Sequence, residues 1–264
     1  MRLAVHGGTR VRGAARWLGG LVISAVVPAI ILVAWWLASA DSTSPFFPPL
    51  SSIVENFRET WLSDHVRSDV VPSLRRMAAG YLLAVVAGVA FGVLLGRVRT
   101  LDRAFQPTIQ FLRAIPATGL VPIAIVLLGI GDAPKIWLIC FVCVFPILLN
   151  TIDGVRASEP VLLDVARSFA LTARQRVLLI EVPTAAPRIF AGMRISLAIA
   201  FIMMVVSEMV GATNGIGYVT LNAQQSFQVP LMWSGMLLLG ILGAALNALF
   251  VIIERRILRW HYRQ

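Results

Sequence analysis

The sequence predicts an all-α integral membrane protein with six transmembrane helices and both termini on the cytoplasmic side. Three observations carry this. Of 264 residues, 58% are hydrophobic and only 14% charged, with a mean hydropathy of +0.82, whereas a soluble domain is about half apolar and a quarter charged. The apolar residues gather into stretches of roughly 20, the length a helix needs to cross the hydrocarbon. The arginines collect on alternate connecting segments, as cytoplasmic positive charge does.

Six candidate spans follow in order: residues 18–38, 77–96, 108–130, 136–152, 193–211 and 233–253. Together they make one transmembrane domain over 1–264, with 18–38 as a first anchoring span and 73–254 as the core bundle. Ala38–Ser39–Ala40 has the small-residue pattern of a signal-cleavage site. The apolar run before it, however, exceeds the roughly 7–15 residues of a signal core, and Trp35 and Trp36 stand where an interfacial aromatic belt would. A retained anchor is therefore expected. Outside the membrane, "PPLSSIVENFRETWL" spaces Ile53, Phe57 and Trp61 four apart, a short amphipathic helix lying on the membrane surface or on the bundle. The 77–96 span carries Gly80, Ala84, Gly88, Gly92 and Gly96, one small residue every fourth position, which makes a smooth face for close backbone approach. The 108–130 span is the least regular, because Pro116 and Pro122 interrupt it.

The net charge of +10 raises a nucleic-acid partner, but its distribution follows topology instead. With a cytoplasmic N-terminus, 18 of the 23 basic residues fall inside. Arg58, Arg67, Arg75, Arg76 and Lys135 stay outside, balanced by Asp41, Glu55, Glu59, Asp64, Asp69 and Asp132. The partner so implied is the lipid bilayer and no nucleic acid.

Little chemistry is available. Cys140 and Cys143 form a C-x-x-C inside the apolar run "WLICFVCVFPILL" and read as buried helix residues, since redox or zinc work needs exposed thiolates or further ligands. His6, His65 and His261 are scattered, so no metal site is expected. No G-x-x-x-x-G-K-[ST] loop exists, because the sole lysine, Lys135, is followed by Ile136. No catalytic residue is assigned: the chain is expected to be a transport subunit and not an enzyme. One acid, Glu208, lies within a span beside Ser207. An intramembrane carboxylate is a candidate for the translocation pathway, and a hydrogen-bonded structural role is equally open. An ion-gradient-driven secondary transporter is the alternative reading, with Glu208 as its only volunteer for an ion site.

The connecting segment 153–192 is basic and helical. Ser158 can cap a first helix with Glu159 and Pro160 in its opening turn, and Leu162, Val165 or Ala166, and Phe169 form a narrow apolar stripe. "TARQ", Thr172 to Gln175, fits a capping box that starts a second helix, expected to stop before Pro183. Physics alone leaves two uses open: lying on the membrane surface, or docking into a groove of another protein.

This segment resembles the EAA loop of the inner-membrane permease subunits of binding-protein-dependent ABC importers, whose pattern is E-A-A, three residues, G, nine residues, I-x-L-P. Asp164–Val165–Ala166 stand for E-A-A, Ala170 for the glycine and Ile180–Glu181–Val182–Pro183 for the ending, with the spacing kept. "PSLRRMAAGYLLAVVAGVAFGVLLG", "LRAIPATGLVPIAIVLLGIGDAPKI", "AAPRIFAGMRISLAIAF", "SEMVGATNGIGYVTLNA" and "ERRILRW" are similar to the nitrate, sulfonate and taurine branch, so the likeness runs from Ser73 to Trp260. The resemblance implies a type I importer bundle in the bacterial inner membrane, paired with a second permease copy. It implies two cytoplasmic ATPase subunits, which carry the ATP and magnesium while this chain binds no cofactor, and an external solute-binding protein. It also implies a docking helix for the ATPase formed by Asp164, Val165, Ala166, Arg167, Ser168, Phe169, Ala170, Leu171 and Thr172, with Ile180 and Pro183 ending the motif. Ala170 departs most, since it lacks the freedom for positive φ that glycine has.

Overall fold

Helices account for every regular element among the described residues. The computed structural model describes residues 65–157 and 168–260, most of 26–63 (28, 29, 32, 41 and 43 excepted), and 162 and 166 between. Most of the anchoring span 18–38 and the C-terminal residues 261–264 therefore lie outside or at the edge of what is described, although residues 33–39 are helical.

In chain order the helices are α1 (Leu50–Trp61), α2 (Val71–Arg97), α3 (Arg99–Ala114), α4 (Leu120–Leu128), α5 (Asp132–Arg156), α6 (Ala173–Arg176), α7 (Val182–Gly211), α8 (Ile216–Gln225) and α9 (Val229–Ile257). The units Val66–Arg97, Asp132–Arg156, Ala173–Gly211 and Val229–Ile257 are long and apolar enough to cross a bilayer. Among the described residues, α3 and α4 make a fifth crossing if they count as one broken span.

That break corrects the expected 108–130 helix. Ile115 has φ −71° and ψ 123°, extended backbone that the ring of Pro116 imposes on the residue before it. The chain then bends by 74° before a 3₁₀ turn at Ala117–Gly119 leads into α4. Pro122 causes no break, because it sits in the first turn of α4, where its missing N–H costs nothing.

A second correction concerns Pro183. The helix that starts after Thr172 does not stop there. It widens into a π turn at Val177–Glu181 and runs straight into α7, giving one unit of 39 residues. A helical proline clashes with the carbonyl four residues back, and the wider turn relieves this by pairing the Val182 N–H with the Val177 carbonyl. The same device precedes Pro72, with a π turn at Val66–Val70 closed by the Val71 N–H on the Val66 carbonyl. Between Arg156, where α5 ends, and Ala173, where α6 begins, Leu162, Ala166 and Ser168 are helical.

The core is the triad α2, α5 and α7. The small-residue face of α2 seats directly on α5. A Cβ added at Gly80, Gly88, Gly92 or Gly96 would fall 2.8, 2.9, 2.5 and 2.9 Å from side chains of Ile139, Ile147, Thr151 and Val155. On the other side of α5, Ser196 donates to the Cys143 carbonyl at 2.7 Å while the Cys143 thiol donates to the Ser196 carbonyl at 3.3 Å. Both cysteines are free, with Cys143 in the core beside Leu138, Ile139 and Met204. The outward faces of α2 and α9 stay apolar and uncovered, as at Leu83, Val86, Phe91, Ile241 and Ile252, which suits hydrocarbon contact. The amphipathic α1 packs on the bundle: Ile53 and Trp61 are buried, and the Trp61 indole donates to Ser234 of α9 at 3.0 Å.

Candidate functional site

Two clusters of charged residues close the two ends of α7, and the connecting segment lies next to one of them. Of the predicted docking residues, Asp164, Val165 and Arg167 fall outside the described residues, as do Ser158, Glu159 and Pro160. Ala166 is buried, Ser168 exposed and Leu171 half-buried. Phe169 is 75% exposed, far more than an aromatic on a finished surface needs.

The turn after Phe169 explains the glycine position. The Leu171 N–H bonds back to the Ala166 carbonyl at 3.0 Å, and Ala170 between them has φ +50°. This six-to-one bond around a left-handed residue is a Schellman end. Ala170 is exposed, so the position requires positive φ and not close approach. Alanine occupies it at a cost of roughly 1 kcal/mol relative to glycine. The second helix begins as expected: the Gln175 N–H donates to the Thr172 hydroxyl at 3.3 Å, and the Thr172 N–H donates to the Gln175 side chain at 2.9 Å.

Nearby, Glu181, the variable position of the loop ending, is 2% exposed. Its carboxylate lies 3.1 Å from Arg97 Nε and 2.7 Å from Arg176 Nε. Neither contact has hydrogen-bond alignment, so charge and not directed bonding holds the trio. Because Arg97 ends α2 and Arg176 ends α6, the carboxylate ties the start of the α6–α7 unit to the core. Ile180 and Pro183 flank it, both half-buried, and act by shaping the π turn. A second pair, Arg156 to Asp102 at 2.8 Å, ties the end of α5 to α3.

Glu208 lies roughly 40 Å from Val182 along α7, at the opposite end of the bundle. It is 1% exposed and fully engaged. Arg76 donates to it at 3.0 Å, Ser73 at 2.7 Å and the Gly217 N–H at 3.1 Å. Arg76 also donates to Asn214 at 2.5 Å and to Asp132 at 2.5 Å. The turn that reaches over the carboxylate needs Gly215: its φ is +122°, and a Cβ there would sit 2.5 Å from the Glu208 side chain. Ser73 and Asp69 complete the clasp, accepting the N–H groups of Ile216 at 3.0 Å and Gly215 at 2.8 Å. Lys135, itself buried, donates to the last carbonyl of α7, Gly211, at 3.1 Å. Of the two readings open for Glu208, the geometry supports the structural one. Ser207 is buried and bonds back to Met204 at 3.0 Å, within its own helix.

The sequence pattern makes Arg76, Lys135, Asp69 and Asp132 an outer charge balance; the fold gathers them around the Glu208 end of α7, where Arg76 alone of the four bonds its carboxylate. The signal was the presence of one acid near the end of one span and two arginines at the start of another. Glu181 was missed, although a lone acid among "VLLIEVP" was the only available partner in that stretch.

Comparison with known proteins agrees with the architecture. Residues 84–260 match the family described as binding-protein-dependent transport system inner membrane component. A putative aliphatic sulfonates transport permease of Bacillus subtilis is 31% identical over 244 residues, covering 92% of this chain and 88% of that protein. The taurine transport system permease of Escherichia coli is 26% identical, covering 88% and 87%. The bicarbonate transport system permease of Synechococcus elongatus is 29% identical, covering 96% of both. Among solved structures, an inward-facing form of the MetNI methionine ABC transporter shares the fold with a TM-score of 0.64, at 21% identity, over 73% of this chain and 95% of that one. The chain thus belongs to the family of binding-protein-dependent transport system inner membrane components, and is a multi-pass permease subunit of an ABC importer.

Proposed function

We propose that the chain passes a small anion such as a sulfonate, taurine or nitrate, and takes its energy from a separate ATPase gripping the segment Asp164–Thr172. The observation that carries the docking reading is Phe169, an exposed aromatic held at a capped helix end. Solvated apolar area of this kind is characteristic of an interface, and a helix end in a groove is an established recognition mode. The anion preference is supported by the relatives named for sulfonates, taurine and bicarbonate transport. In this reading both termini are cytoplasmic, the spans number six with residues 18–38 as the first, and the chain works as a pair with a second copy. An external binding protein delivers the solute, and ATP and magnesium act on the partner ATPase.

Closure of the ATPase pair moves the docking segment. Glu181 passes that motion to α2 through Arg97 and, along one continuous helix, to α7. The α2–α5–α7 core is packed too closely to deform, so it rotates as a rigid body between two arrangements. The ion-gradient alternative finds no support in Glu208, whose oxygens are already taken up by Arg76, Ser73 and Gly217.

The test is Phe169→Asp. Co-purification of the ATPase subunit and ATP-driven uptake in vesicles should both be lost while the permease still inserts and folds. An ATPase that stays bound with normal uptake would remove the docking assignment. Uptake in vesicles lacking ATP would favour the gradient-driven reading.

A further inference from the structure

The cleft beside the Glu181 clasp carries more positive charge than its carboxylates occupy. It encloses about 600 Å3 between the ends of α2 and α5, the start of α3, and α6. Arg97, Arg99, Arg156, Arg176 and Glu181 line it. The clasp makes its closest approaches through the Nε groups of Arg97 and Arg176. Among the described residues, the terminal Nη groups of these two arginines donate no hydrogen bond, and the Arg99 guanidinium is neither ion-paired nor hydrogen-bonded. Arg156 is engaged by Asp102 and the Leu95 carbonyl. Four guanidinium groups set against Glu181 and Asp102 leave an excess of two positive charges.

One wall of the cleft is apolar. It climbs α2 through Leu94, Val93 and Ala90, about 10 Å from Arg97 to Ala90 along the helix. The cleft therefore grades from a hydrocarbon-facing groove to a mouth of guanidinium donors. A small soluble carboxylate has no tail to match this gradient. A phosphate diester offers acceptor oxygens that guanidinium forks engage in pairs, and on a phospholipid it comes attached to acyl chains. Basic pockets between membrane helices hold such headgroups elsewhere.

We propose that this cleft binds a phosphate group, supplied by the headgroup of an anionic phospholipid whose acyl chain lies along Ala90, Val93 and Leu94. The site joins the start of the α6–α7 unit to the core, so an occupied cleft bridges α2, α3 and α6 where Glu181 alone would otherwise hold them. The inference rests on this end of the bundle lying at a membrane surface. It does not depend on which solute is carried.

The test uses the full-length chain, delipidated in detergent and titrated with phosphatidylglycerol, phosphatidylcholine or inorganic phosphate. Thermal unfolding reports stabilisation, and native mass spectrometry counts retained lipid. Phosphatidylglycerol is expected to be retained and to stabilise, and phosphatidylcholine is not. Arg99→Gln breaks no ion pair, so it should fold normally and weaken phosphatidylglycerol binding about fivefold. Arg103→Gln, one turn further along α3 and outside the cleft, should leave binding unchanged. Stabilisation by inorganic phosphate with no lipid retained keeps the phosphate chemistry and overturns the lipid as its source. Equal retention of both lipids without any effect of phosphate, or equal losses in the two arginine variants, overturns the site itself. ATP-driven uptake plays no part in the readout, so failure here is distinguishable from failure of the docking reading.

Discussion

Ala170 holds a left-handed backbone with a side chain that disfavours it, at the corner between Phe169 and the capping box of Thr172. Replacing it with glycine should stabilise that corner by about 1 kcal/mol, read as slower amide exchange at Leu171, whose N–H closes the turn. Glu208 sits at the opposite extreme, paying for burial with three donors. Its removal leaves Arg76 buried with its charge half answered, and such truncations cost roughly 3–5 kcal/mol. Glu208→Ala should therefore lower the thermal midpoint sharply, whereas Glu55→Ala on the exposed side of α1 should not. Much of this was legible residue by residue: the acid in a span, the missing glycine and the Thr172 box all stand out in one dimension. Their partners did not, because Arg76 and Glu208 lie 132 positions apart, and nothing local in either stretch refers to the other.

At the level of elements, the small residues at every fourth position of α2 announced a close helix contact, and α5 supplies it. Gly92 is the tightest point, with Thr151 so near that an added Cβ would overlap its side chain at 2.5 Å. Gly92→Leu should separate the two helices and abolish monodisperse purification in detergent, while Leu83→Ala on the exposed face should have little effect. The proline effects were only half legible. Pro116 breaks the chain by the backbone restriction it places on Ile115. Pro183, at the second residue of α7, merely widens the turn before it. The difference lies in what surrounds each proline: Glu181 is anchored by two arginines and keeps the helix running, and no such anchor precedes Pro116.

At the level of the whole molecule, the family and the membrane class were legible from composition, charge placement and the run of motifs. Partner occupancy was not, since it depends on surfaces whose complements are other chains. The clasps at the two ends of α7 have a mechanical meaning beyond stability. Glu181 ties the α6–α7 unit to α2 at one end, and Glu208 ties α7 to α2 at the other. A stave pinned to its neighbour at both ends can swing with it but cannot slide past it. Axial slippage within the core is thereby forbidden, and transport must use joints that are not pinned, such as the 74° elbow between α3 and α4. Ser196→Cys, facing the native Cys143 across the α5–α7 contact, offers a direct check. Oxidative linkage there should leave ATP-driven uptake intact, since it freezes a seam that never needed to move.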